Sequence, residues 1–154
     1  MTPHKTAMHG RALQLHAAAL ALHKALLDVV RAGYEREHGA VASPHALLSL
    51  VLSHESFAWL RLLSALIVEI DELSETPDAD ERDLSAARAA FEDLLTRSGD
   101  RFAKPYAAAL EASPDVVIAH VELERVLAAF PPPREEDLPE LHQRRLKWAA
   151  PRKR

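Results

Sequence analysis

The chain has no cysteine and no asparagine, only four glycines, and aromatic residues at 5% of its 154 positions. The missing cysteine is the most decisive: disulfide frameworks, thiolate zinc sites, iron–sulfur clusters and cysteine nucleophiles are all excluded. With so little glycine there is no phosphate-cradling loop, and no Gly-x-Ser-x-Gly elbow surrounds Ser49, Ser53 or Ser64. β-Branched and aromatic residues, the usual occupants of strands, are sparse, whereas 28 Ala and 24 Leu supply about a third of the chain. That mixture favours helix. A chain of this length is one ordinary domain and can bury a core without a disulfide or a structural metal.

The net charge of −4 conceals an uneven layout. Residues 41–140 carry 8 Lys/Arg against 20 Asp/Glu, a net of −12, whereas residues 141–154 carry 6 Lys/Arg and no acid. An acidic body argues against a broad phosphate-binding face, because phosphate contacts need clustered cations. Near the N-terminus, Lys5 and Arg11 precede an apolar stretch from Ala12 to Leu22 that superficially resembles a secretory signal. Gln14 and His16 interrupt it, Lys24 follows, and the helical pattern continues through Tyr34, so it reads as mature helix. The longest charge-free stretch, His38 to His54, contains Gly39 and Pro44 and does not match a spanning helix of roughly 20 apolar residues. No membrane span is expected, and a cytoplasmic location is.

Hydrophobic spacing and punctuation predict an all-α fold, a compact bundle of five or six helices with antiparallel neighbours. Residues 1–10 are expected to be a flexible N-terminus, residues 11–130 the bundle, and residues 131–154 a proline break followed by a basic C-terminal segment. The first helix should run from about Arg11 to His38, with Gly39 as its stop and with Leu13, Leu20, Leu27 and Tyr34 as a seam recurring every seven residues. Leu15, Leu22, Leu26 and Val29 widen that stripe. Ser43-Pro44 and Ser113-Pro114 are each a capping serine followed by a proline at the first helical position. Between Phe57 and Ile70 only Arg61, Ser64 and Glu69 interrupt an apolar run, so a helix over about Ser56–Ser74 should be the core element, with Trp59, Leu63, Leu66, Ile67 and Ile70 inside. Pro131-Pro132-Pro133 must end the last core helix.

The string Phe57-Ala58-Trp59-Leu60-Arg61-Leu62-Leu63-Ser64, followed by Ile67-Val68-Glu69-Ile70-Asp71-Glu72, resembles a group of short bacterial all-helical proteins. The resemblance covers mainly residues 20 to 75. It implies a helical fold and no particular activity.

Nine histidines make metal binding the first chemical question. His120 and Glu124 are one helical turn apart and could join Glu69 and Glu72 from a facing helix. Such a set would hold iron, manganese or zinc, as carboxylate-and-imidazole clusters do in hemerythrin-like and ferritin-like bundles. The plainer account leaves the glutamates solvated and His120 at the edge of the core. Glu35 and His38 form one Glu-x-x-His, but the di-metal pattern needs a second copy, and the pair sits on a helix end. His9, His16 and His23 recur every seven residues, about 10 Å apart on one helix, too far to share an ion. They read as packed, hydrogen-bonded residues or as residues of a dimer interface. Arg61 reads as a snorkelling side chain whose stem lies along apolar surface.

The tail residues Arg144, Arg145, Lys147 and Trp148 could contact nucleic acid or a membrane surface, or could dock on the acidic body. The reading adopted is a non-catalytic helical interaction or regulatory module, self-associating as a homodimer and working with a protein partner, with no cofactor. The alternatives are the metal-binding bundle and an adaptor acting through the basic tail.

Overall fold

The computed structural model describes residues 3–148, with side chains from Ala7 onward. Arg152, Lys153 and Arg154 of the basic tail lie outside the described residues. Seven α-helices are found among the described residues, and no strand: α1 (Pro3–His38), α2 (Pro44–Ser53), α3 (Leu60–Ser74), α4 (Glu81–Thr96), α5 (Ala103–Ala112), α6 (Pro114–Ala128) and α7 (Leu138–Trp148). Three short 3-10 turns, Glu55–Phe57, Gly99–Arg101 and Glu135–Asp137, link them. The count exceeds the expected five or six because the short α5 and the post-proline α7 both form as separate helices.

The punctuation works as its chemistry requires. Ser43 and Ser113 accept the backbone N–H of Ala46 and Val116, three residues on, and each is followed by proline at the first helical position. Gly39 ends α1 at φ 86°, a left-handed conformation that glycine adopts without steric cost. Asp80 caps α4 in a reciprocal box: its side chain accepts from Arg82 and Asp83, while the Asp83 carboxylate accepts the N–H of Asp80.

The longest helix, rather than the expected α3, is the axis of the bundle. α1 makes the two most extensive pairings, with α3 and with α6, and α4 pairs chiefly with α7. Its start is eight residues earlier than the sequence suggested, at Pro3: Met8 is buried, and His9 donates to the carbonyl of Ser74 at the end of α3 (2.6 Å). Arg11 ties the same end to α6 by donating to the carbonyl of Ala129.

The expected seam of α1 is displaced around the helix. Leu13 and Leu20 are exposed, and the buried line is Leu15, Ala19, Leu22 and Leu26. Both lines contain leucines at sevenfold spacing, but Ala12, Ala18 and Ala19 flank the second one and let neighbouring helices approach. α3 buries Leu60, Leu63, Leu66, Ile67, Ile70 and Leu73. It begins at Leu60 instead of Ser56, because the chain turns first through the 3-10 segment with Phe57 buried; Trp59 therefore stands at the helix entrance, half-buried against Phe102 at 5.1 Å. On α6 the buried line is Val116, Ala119, Leu123, Val126 and Leu127, which leaves Val117 and Val121 outside.

Candidate functional site

The four residues weighed as metal ligands belong to two separate arrangements. On α6, His120 receives the Tyr106 hydroxyl of α5 at its Nδ1 (2.5 Å), and its Nε2 lies 4.0 Å from Glu124. Burial, with the Glu124 charge adding to it, pushes the Tyr106 phenol well above its ordinary range. The phenol therefore keeps its hydrogen, and the His120 ring nitrogen is its hydrogen-bond partner, as a buried Tyr hydroxyl requires. On α3, both oxygens of Glu69 are taken by the Arg145 guanidinium of α7 in a fork-to-fork pair, 3.0 Å each. Glu72 is one turn further along α3. Among the described residues no group of three or more His, Asp or Glu side chains is placed to hold a metal ion. Glu35 of the Glu-x-x-His pair accepts from Arg31 and from the N–H of Val41, which folds the chain after α1 back on itself.

The tail cations meet the acids of their own chain. Arg144 donates to Asp80 (2.9 Å), to Asp83 (3.3 Å) and to Glu140 (3.2 Å). Trp148 is buried and its indole N–H donates to Asp83 at 2.9 Å. Asp83, only 6% exposed, thus accepts from Asp80, Arg144 and Trp148 together, which makes burial of a carboxylate tolerable. Lys147 is exposed, Leu138 is half-buried, Leu141 is buried and Leu146 is exposed. Sequence reasoning missed Asp83 as this shared acceptor. Its signal was the Asp80-x-x-Asp83 spacing of a capping box.

Two of the three heptad histidines are hydrogen-bonded into the seam between α1 and α3. His9 meets Ser74, and His23 Nε2 lies 2.9 Å from the Ser64 hydroxyl, which itself donates to the carbonyl of Leu60. Burial holds the His23 pKa below the usual imidazole value, so its neutral form is the one packed there.

Two surface features remain. An open cleft of about 430 Å³ lies between α4 and α7, with Ala86, Ala90 and Leu141 on its floor and Asp93, Arg97 and His142 among its rim residues. The other is α2. Its inner face, Leu47, Leu50 and Val51, leans on the core, but none of its side chains is fully buried, and Leu48 and Leu52 are 55% and 67% exposed. Arg61, expected to snorkel along apolar surface, instead reaches the carbonyls of Val51 (3.3 Å) and His54 (3.4 Å) and caps the C-terminal end of α2. By length and composition the Ala7–His38 stretch of α1 is long and apolar enough to cross a membrane. In the fold its Leu15, Leu22 and Leu26 are covered by protein.

No protein-family model matches the chain, and neither a curated protein nor a solved structure is similar to it.

Proposed function

We propose that the chain is a non-catalytic helical interaction module that self-associates. One observation carries the reading: from residue 27 to residue 56 not a single side chain is fully buried, although the stretch contains Leu27, Val30, Tyr34, Leu47, Leu50 and Val51. These residues rest on the edge of the core with their other sides uncovered. Scattered apolar side chains on a surface need no explanation, but a continuous stretch of this kind is the usual mark of a surface that meets another protein. Burying it against a second chain removes apolar area from water at about 25 cal/mol per Å². Sedimentation of the intact chain over a wide concentration range is the test. A rising average mass is expected, and a constant monomer mass throughout would contradict the reading.

A further inference from the structure

We infer that the outward face of α2 is the centre of a two-fold contact with the α2 of a second copy of this chain. The inference rests on the self-association reading above and adds where the copies meet. Among the described residues α2 is the one α-helix without a fully buried side chain. Its exposed positions His45, Leu48, Ser49 and Leu52 fall at i, i+3, i+4 and i+7, so they form one stripe, with the small Ser49 in the middle where two helices can approach closely.

Charge selects the occupant. In a two-fold contact each surface meets a copy of itself, so any charge near the axis faces its own sign. Residues 38–54 contain no Asp, Glu, Lys or Arg, in a chain whose residues 41–140 are otherwise strongly acidic. The alternative apolar patch on α6, with Ile118 69% exposed, shares its face with Asp115, Glu122 and Arg125; Arg125 is paired to Glu122, which leaves a net negative charge that a two-fold copy would repeat. On α1, Leu20 has Lys24 one turn away on the same side. α2 is the apolar surface that meets its copy without like charges. Its own sequence has no Lys or Arg, which separates it from a helix built for an anionic lipid surface, where those residues line the polar face.

Size agrees with a dimer. A stable interface takes about 20–30 residues a side, more than a ten-residue helix can give. The adjoining second half of α1 and the loop into α2 supply a polar rim, since the whole of 27–56 lacks a fully buried residue; the charges of this rim, Asp28 to Glu37, are of both signs, and Arg31 is already paired with Glu35. The face is also presented in a fixed shape. Ser43 caps the first turn of α2 and Arg61 holds its last carbonyls, which lowers the ordering cost of association.

The experiment compares the intact chain with Leu48→Glu/Leu52→Glu, both at exposed positions, and with Ile118→Glu on α6 as the control. The double variant is expected to sediment as a monomer at concentrations where the wild type and Ile118→Glu are dimers, with an unchanged circular dichroism spectrum. Because the chain has no cysteine, Ser49→Cys gives a second readout: under mild oxidation it should form a disulfide-linked dimer faster than Ala128→Cys, which places a thiol on the exposed side of α6. If the double variant dimerises like the wild type, or if Ser49→Cys cross-links no faster than Ala128→Cys, α2 is not the seam, while self-association stands. A monomeric wild type overturns both readings. Flotation of that monomer with neutral phosphatidylcholine vesicles, lost in the double variant, would make a bilayer the occupant and overturn the inference.

Discussion

Replacing Trp148 with alanine should detach α7 and leave the rest of the bundle folded. α7 buries only Leu141 and Trp148, so the indole is the larger part of its apolar attachment. Truncating a buried Trp to Ala costs about 3–5 kcal/mol. Leaving Asp83 one donor short inside the protein adds about 1–3 kcal/mol. The remaining tethers are Leu141 and the pairs of Arg144 with Asp80 and Asp83, of Arg145 with Glu69 and of Arg82 on α4 with Glu140. Exposed pairs contribute about 0–1 kcal/mol each, and even with partial burial these few cannot hold eleven helical residues in place without the indole. Amide exchange separates local from global loss: protection should fall at residues 138–148 and persist at Leu15–Leu26 and across α3. Trp148→Phe divides the effect, since it keeps most of the apolar surface and removes the N–H donor. Unchanged protection of α7 in Trp148→Ala would refute the reasoning, and an equal loss in Trp148→Phe would show that the hydrogen bond to Asp83, not the apolar contact, dominates.

Leu63→Ala, at a site with no solvent exposure, should lower unfolding free energy by about 2–5 kcal/mol in urea titration, with Ile67→Ala in the same range. The depressed pKa of His23 means the unfolded chain takes up this proton more readily than the folded one; the contribution of His23 to stability is complete above the ordinary imidazole value of about 6.5 and is lost as pH falls through the lower folded value. His23→Gln, which keeps a donor for Ser64, should flatten that acid loss in urea midpoints measured on either side of this range. Arg61→Ala should free the last carbonyls of α2, raising amide exchange at residues 50–54 by an amount equivalent to about 0.5–1.5 kcal/mol and leaving α3 protected.

The helical class and the turns were legible in the sequence because they rest on local chemistry. Ser43-Pro44, Ser113-Pro114 and Gly39 act through bonds within a few residues, and the structure places them where the spacing did. The face of a helix that goes inside is decided by neighbours far along the chain, and there the reading slipped. Leu13 and Leu20 offered the same sevenfold repeat as Leu15 and Leu22, and only the arrival of α3 and α6 on one side of α1 chooses between them. The partners of Arg145 and Trp148 are 76 and 65 residues away, so spacing along the tail said what these side chains could do but not which acids they would meet. Arg61 was misread for a related reason: its acceptors are the end of α2, and the angle between α2 and α3 is set by the 3-10 turn at Glu55–Phe57.

The pairing of α1 with α6 joins two helices that leave the ribosome far apart in time. The bond from Arg11 to Ala129 closes over 118 residues. From His38, where α1 is complete, to Ala129 is 91 residues, about 5–18 s of synthesis at about 5–20 residues per second, during which the α6-facing side of α1 has nothing to cover it. In those seconds a long leucine- and alanine-rich helix, apolar enough between Ala7 and His38 to be taken for a membrane segment, is in view of holding chaperones and of other nascent copies. Yield in a cell should therefore depend on translation speed over residues 39–114, even for variants whose finished fold is equally stable.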